Sequence, residues 1–439
     1  MNENAQQKRT RLQDEAVRTL LEKRRVIVAW GTGVGKSRVA VRAADELCAR
    51  GASRILLLVA ETAHKQNWKN EFLDGLGLER ARQVCRCITV ECYASLEKHR
   101  DSHWDLVIAD EAHHLRSDLR TGALSTLKAD YFLGLTATLS ERGDGDTLIS
   151  TLRSTFGEFE FLDFSLQEAI DNGILSEPTI YVHVLPLEKI TAPQKVVISW
   201  GQYRYQKEIE CTYDEFTEFI ENDVENNPHI KATVTCTAKQ GYDLLTKYLD
   251  KAKERYEDAK RKLYKAQQSG DPAAVKKYSY LETAAKNEWL QYGSRRKTLV
   301  GESKTYFADW LLGRIRDTKY VCFCSSVAQG EALGAQNIIS ARRNDNDVVL
   351  KEFNEGLRRS IFAVGMIQEG QNLKGIETGV IIQLGGKERV FVQKFGRAMR
   401  AKNPVQHIVV MNDTRDVTYY KTAVSGINPK YIHMHKYGT

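Results

Sequence analysis

Two short stretches of the chain combine residue types that could bind and split a phosphoanhydride. The first is GTGVGKS at 31–37. Gly33 and Gly35 let backbone N–H groups approach phosphate oxygens where a Cβ would stand in the way. Lys36 brings a point charge suited to the β- and γ-phosphates, and the Ser37 hydroxyl can ligate Mg²⁺. Thr32, Gly33, Val34, Gly35, Lys36 and Ser37 are therefore the expected nucleotide-binding residues. The strict form of such a loop would carry Gly or Ala where Trp30 stands, so Trp30 is expected to pack behind the loop. The second stretch, DLVIADEAHH at 105–114, is an apolar run that ends in adjacent carboxylates. There Asp110 is placed to hold Mg²⁺ together with Ser37, and Glu111 to orient and deprotonate an attacking water. His113 is close enough in sequence to relay between this site and a second lobe.

Such residues must be held at the edge of a sheet. Short aliphatic or β-branched runs at Arg25–Trp30, Arg54–Ala60, Arg86–Val90, Leu106–Ala109 and Tyr131–Leu135 read as strands. Amphipathic stretches between them, such as Ser37–Arg50 and Ala63–Phe72, read as helices. That alternation predicts a parallel sheet covered on both faces. It returns at Tyr320–Cys324, Ser360–Val364, Gly379–Gln383 and Gln406–Met411, which predicts a second α/β layer. Between the two, Leu245, Leu249, Ala252, Tyr256, Ala259, Leu263 and Ala266 recur at alternating steps of four and three. This heptad seam, broken by SGDP at 269–272 and followed by a helical run to about Tyr292, predicts a long antiparallel helical hairpin. The expected division is 1–185 for the first lobe, 186–298 for linker and helical insertion, and 299–439 for the second lobe.

Composition narrows the class. The 439 residues are 42% hydrophobic and 28% charged, ordinary for a globular chain with more than one core. Only 7 are proline, which excludes Pro-rich linkers. No apolar run approaches the roughly 18 to 20 residues that span a bilayer, so no membrane association is expected. The opening MNENAQQKRT has no apolar core, so a secretory signal is not expected either. The 8 cysteines form no dense framework, in keeping with a reducing compartment. A cytoplasmic location, in a bacterial or phage-infected cell, is the expectation. Net charge is +7, and Lys247–Lys304 holds 15 basic against 8 acidic residues. A basic block of that kind suits a polyanionic partner, and equally a solvated helix face.

The loop at 31–37, DEAH at 110–113, TAT at 136–138 and QKFGRAMR at 393–400 fall in the order of the superfamily 2 helicase motifs. The chain resembles the branch that holds restriction-enzyme motor subunits, phage recombination helicases and excision-repair helicases. LGLTATLSERGDGD (133–146), FSLQEAIDNGILSEP (164–178) and GGKERVFVQKFGRAMRAK (385–402) carry that likeness. The resemblance implies two RecA-like lobes of the P-loop NTPase type, with ATP in the cleft between them and nucleic acid across their top. It makes Gln13 similar to the adenine-reading glutamine, although Leu12 replaces the usual aromatic beside it. Thr136, Thr138 and Gln393 resemble residues that couple hydrolysis to nucleic-acid movement. Arg397 and Arg400 resemble the pair that reaches the γ-phosphate, with Arg400 as the arginine finger. EGQNL at 369–373 matches a further motif that adds Gly370 to the nucleotide contacts, and Asn372 stands where the family usually has Asp. Thr62, Ser95 and Ser325 are the implied phosphate-backbone contacts.

The resemblance thus implies an ATP- and Mg²⁺-dependent helicase or translocase, with DNA favoured over RNA as the track. A protein partner could supply its specificity. A duplex translocase or annealing motor that never separates strands is the first alternative, and a nucleotide-switched binding protein the second. Cys85, Cys87 and Cys92 beside His99 and His103 could be drawn as a metal site. Their spacing fits strand residues better than zinc ligands. Tyr256 is expected to pack in the hairpin seam, while Tyr248, Tyr264, Tyr278 and Tyr280 lie open to either packing or base stacking.

Overall fold

The computed structural model describes residues 4–116, 122–137, 152–200, 205–340, 346–365, 373–385 and 401–437. The first sheet has six parallel strands: β1 (Arg25–Trp30), β2 (Ile55–Val59), β3 (Ile88–Cys92), β4 (His103–Asp110), β5 (Lys128–Thr136) and β6 (Glu160–Phe164). Their spatial order is β3-β2-β4-β5-β1-β6. Val26 to Trp30 are all buried, as a central strand covered on both faces requires. Helices α1 (Ala5–Lys23), α2 (Lys36–Ala49), α3 (Thr62–Leu76) and α4 (Leu78–Cys85) belong to the same lobe. Cys85 closes α4 and Cys87 precedes β3, so the expected strand at Arg86–Val90 starts two residues later.

The second sheet has seven parallel strands, in the order β12-β13-β11-β14-β15-β7-β16. They are β7 (Thr179–Leu185), β11 (Tyr320–Phe323), β12 (Ile338–Ser340), β13 (Ser360–Val364), β14 (Thr378–Ile381), β15 (Val405–Met411) and β16 (Ile432–Lys436). Two parallel sheets with helical crossovers bear out the expected α/β class. The expected lobe boundary at 185 needs correction. β7 pairs with β15 from Thr179 to Leu185 and with β16 on its other side, inside the second sheet. Nothing local marks this, because a buried parallel strand reads alike in either sheet.

The insertion also holds more than a hairpin. β8 (Gln194–Ser199), β9 (Lys207–Thr212) and β10 (Ile230–Cys236) make a small sheet ordered β8-β10-β9. Against it packs the hairpin of α5 (Ala238–Ser269) and α6 (Pro272–Glu302), which extends ten residues beyond the expected Tyr292. Thr237 caps α5 and Asp271 caps α6, with Gly270 left-handed at φ +68° in the turn. Tyr248 is buried beneath the small sheet, and Tyr256 stacks on Trp289 at 5.5 Å with ring planes 9° apart. Arg295 donates to the Val197 carbonyl at 2.8 Å, and Arg296 to Thr246 Oγ1 at 3.0 Å. Both arginines therefore hold the hairpin root in place.

The hairpin root is fixed to the second lobe. Lys304, two residues past α6, is fully buried and donates to the carbonyls of Ile382 at 2.7 Å and Val409 at 2.9 Å. Its third partner is the Asp416 carboxylate, also buried, which in turn accepts from Met411 N at 3.2 Å. Burial pushes the Lys304 ammonium down from its ordinary range, and Asp416 opposes that shift. Removing one member would leave an uncompensated buried charge. Asp416→Ala is expected to cost about 3 to 5 kcal/mol in urea unfolding, with a much smaller loss when Lys304→Met is added.

A second buried polar group spans β15, β7 and β16. His183 shares a 3.0 Å hydrogen bond with His407 and a 2.9 Å bond with the Tyr437 hydroxyl. Burial pushes both imidazoles down to about 4, with His407 and His435 adding to the shift of His183 and His435 to that of His407. Unfolded imidazoles titrate near 6.5, so the unfolded chain binds more protons in the window between. This stabilisation is complete above about pH 6.5 and is lost as pH falls toward 4. Melting temperature should drop between about pH 7 and pH 5, and His183→Gln with His407→Gln should remove that part of the drop.

Candidate nucleotide site

The register of the first sheet gathers the expected site. β5 lies between β4 and β1, with Asp110 beside Leu135 and Leu135 beside Val28. Thr136 ends β5 next to Ala29 and is buried. The phosphate-type loop leaves β1, and DEAH leaves β4, on the same carboxyl edge. Two strand spacings separate them, roughly 10 Å. That gap is of the size needed for a nucleotide's terminal phosphates and a cation.

The loop has the backbone geometry that its composition suggested. Gly33 has φ +93° and Gly35 φ +108°, conformations that L side chains rarely adopt. A Cβ on Gly35 would collide with the Gln13 amide, and one on Gly33 would sit 3.2 Å from Leu175 Cδ2. Gly35 is the N-cap of α2 and supplies no side-chain cap, so the leading N–H groups of that helix are turned toward the loop. Val34 is buried, while Thr32, Lys36 and Ser37 are half-buried along the loop. Lys36 Nζ donates to the Trp30 carbonyl at 2.8 Å, which holds the ammonium within the loop. Trp30 itself is buried behind it, as expected.

Around the carboxylates the structure adds a residue the sequence did not single out. Trp68, on α3, donates its indole N–H to Asp110 Oδ2 at 2.8 Å, and the Tyr93 hydroxyl donates to the Asp110 carbonyl at 2.7 Å. Glu111 sits at φ +51°, a left-handed conformation that turns the chain sharply off the strand end. Its carboxylate lies 3.4 Å from His113 Nδ1, and His113 is buried. The two groups lie within electrostatic range, with no hydrogen bond between these two atoms.

Gln13 is buried on α1, its amide 3.5 Å from the Val34 carbonyl, so it touches the loop. Beside it Arg9 donates to the Ile174 carbonyl at 2.8 Å. Arg9 was missed because a helix face with several basic residues gives it no distinguishing signal. The segment 164–178 folds over the loop: the Phe164 carbonyl accepts from Gly31 N at 2.9 Å, and Leu166 backbone packs on Gly31. The same segment reaches the second lobe, where Gln167 Oε1 accepts from Asn428 N at 2.7 Å and Glu177 from the Tyr431 hydroxyl at 2.8 Å.

The remaining expected residues separate. Thr62 begins α3 and is exposed, with Oγ1 3.6 Å from Cys92 Sγ. Ser95 is half-buried in the turn after β3. Ser325 follows β11 in the second lobe, and its hydroxyl donates to Gln329 Oε1 at 3.0 Å. Thr138, Gly370, Asn372, Gln393, Arg397 and Arg400 lie outside the described residues. The group His103, Asp105 and Asp130 meets at the opposite, amino edge of the sheet.

Two parallel-sheet lobes and a glycine loop at the carboxyl edge define a P-loop ATPase with RecA-like lobes. Comparison with known proteins gives the branch. Residues 6–141 match the family described as "Type III restriction enzyme, res subunit". The chain is 22% identical over 405 residues to a protein of Sulfurisphaera tokodaii named DNA 3'-5' translocase XPB2, covering 89% of this chain and 78% of the relative. Its fold is similar to a structure titled "ATP-dependent Type ISP restriction-modification enzyme LlaBIII bound to DNA", with TM-score 0.55 and 10% identity. That match covers 100% of this chain but only 31% of the larger enzyme. A structure of S. cerevisiae Dbp5 bound to RNA and ADP BeF3 gives TM-score 0.52 at 10% identity, over 97% of this chain and 89% of that one. By these findings the chain is similar to the superfamily 2 helicase branch, which supports an ATP-hydrolysing enzyme.

The Trp68 contact can be tested directly. Trp68→Phe keeps the ring and removes the N–H from Asp110. With Asp110 as the expected Mg²⁺ ligand, the change is expected to raise the Mg²⁺ concentration needed for half-maximal ATP hydrolysis about tenfold or more, the usual effect of losing a partner of such a ligand.

Proposed function

We propose that the protein is a DNA-directed motor that hydrolyses ATP between its two lobes to translocate along DNA, and that unwinding follows where strands are forked. The observation that carries this reading is the uncapped α2 N-terminus with Gly33 and Gly35, facing Asp110 and Glu111 across one sheet edge. The relative named a DNA 3'-5' translocase and the DNA-bound restriction enzyme of similar fold support DNA as the track.

In this reading Thr32 to Ser37 cradle the phosphates, with Lys36 moving from the Trp30 carbonyl to the β- and γ-phosphates. The residues fit a magnesium ion. Ser37 and Asp110 offer the hard oxygen donors it prefers, and the ion would neutralise phosphate charge there. Glu111, beside His113, holds the attacking water and takes its proton. Gln13 supports the loop through Val34 and reads the adenine edge. Arg397 and Arg400 come from the second lobe, so closing the cleft completes the site. Thr136 at the end of β5, with Thr138 and Gln393, would pass the change to the nucleic-acid surface. Thr62 and Ser95 contact the strand on the first lobe and Ser325 on the second, where Gln329 holds its hydroxyl.

Lys36→Ala and Glu111→Gln are each expected to reduce ATP hydrolysis by at least about a thousandfold, the scale of losing a component of a phosphoryl-transfer site. Glu111→Gln should retain ATP binding by fluorescent-analogue titration; loss of binding there would remove Glu111 from the assigned role. Hydrolysis measured with single-stranded, duplex and forked DNA and with RNA tests the motor itself. Stimulation by DNA supports the reading, and the best polymer names the track. A rate indifferent to every polymer overturns it in favour of a nucleotide switch.

A further inference from the structure

Among the described residues, no hydrogen bond or ion pair links the distal half of the helical hairpin to the nucleotide site. Beyond Ala252 on α5 and Trp289 on α6, the buried core beneath the small sheet ends. The 17 residues from Lys253 to Ser269 then project as a two-helix arm of roughly 25 Å, at 1.5 Å per residue. Only Ala259 and Ala266 are buried on that stretch of α5, both on the seam with α6.

The surface of this arm is patterned. From Lys260 to Lys277 there are six basic residues and one acid, Asp271, which is spent on capping α6. Arg261 and Lys262 are paired with Asp258. Lys260, Lys265, Lys276 and Lys277 are exposed, and among the described residues no carboxylate lies within ion-pair distance of them. Tyr264 is 63% exposed and Tyr280 75% exposed, unlike the buried Tyr248 and Tyr292 nearer the root. Lys260 stands one helical turn before Tyr264, and Lys276 and Lys277 one turn before Tyr280. Each aromatic therefore shares its helix face with cations. Exposed rings beside lysines that have no carboxylate partner among the described residues match a chain of phosphates with accessible bases.

We propose that this arm is a separate nucleic-acid-binding surface. Lys260, Lys265, Lys276 and Lys277 contact phosphates, and Tyr264 and Tyr280 stack on unpaired bases. The arm belongs to the second lobe: Gln329 Nε2 donates to the Gly301 carbonyl at 2.6 Å, Ser326 Oγ to Glu302 at 2.8 Å, and Lys304 is buried beyond them. A strand held at its tip is thus carried whenever that lobe moves. The inference rests on the motor reading for its choice of nucleic acid as ligand.

The test uses the full chain, with binding of single-stranded and duplex DNA measured by fluorescence anisotropy across a salt series. One variant carries Lys260→Gln, Lys265→Gln, Lys276→Gln and Lys277→Gln, and another Tyr264→Ala and Tyr280→Ala. All six positions are exposed, and unchanged ATP hydrolysis without DNA verifies the fold. The lysine variant should lower the slope of log K against log salt by about 2 to 4, because each lost phosphate contact removes close to one unit. The tyrosine variant should weaken single-strand binding about tenfold or more and duplex binding far less. Wild-type affinity and slope in both variants would overturn the proposal. So would an equal loss of polyglutamate binding in the lysine variant with a neutral tyrosine variant, which identifies an acidic protein surface as the ligand. Failure of the motor reading is distinct: there wild-type hydrolysis ignores every polymer, whatever the arm variants do.

Discussion

The helix that starts at Lys36 has no side chain to cap it, and the first lobe is organised around that deficiency. An uncapped N-terminus leaves several N–H groups to be satisfied from outside, which favours an anion. For the groups to be reachable, the loop must pass through conformations near φ +100° at Gly33 and Gly35. For the anion to meet carboxylate chemistry, β1 and β4 must present their carboxyl ends on one edge, with β5 between them, which the parallel register does. A β4 running opposite to β1 would have sent one of these ends to the opposite edge.

The segment 164–178 turns this local site into part of a larger device. It closes on the loop through the Phe164 carbonyl, Leu166 and Leu175, and on the second lobe through Gln167 and Glu177. Contacts therefore run without a break from the loop to the region of Asn428 and Tyr431.

The second lobe depends on its buried charge. Lys304 joins the end of the hairpin to Ile382 just past β14, to β15 and to Asp416, and three acceptors around one ammonium compensate for its desolvation. The choice is geometric: an apolar side chain could fill the space but could not tie the hairpin root to the carbonyls of Ile382 and Val409. The small sheet and the two arginines at the root complete that attachment.

Much of the site was legible in the chain itself. Glycine spacing, Lys36 and the carboxylates at the end of an apolar run are local signals, because the chemistry demands fixed residue types within a few positions. The strands at Arg25–Trp30 and Ser360–Val364 and the break between the hairpin helices were likewise written locally. Three things were not. β7 reads as a buried strand wherever it is placed, and only pairing with β15 and β16 assigned it to the second sheet. β8, β9 and β10 are short and partly polar, so their identity came from a hydrogen-bonded neighbour rather than from pattern. Trp68, Arg9 and Lys304 act through partners 42, 165 and 112 positions away, respectively. Local sequence determines which residues can do chemistry; the tertiary structure decides which of them meet, because long-range contacts depend on chain topology and leave no periodic trace.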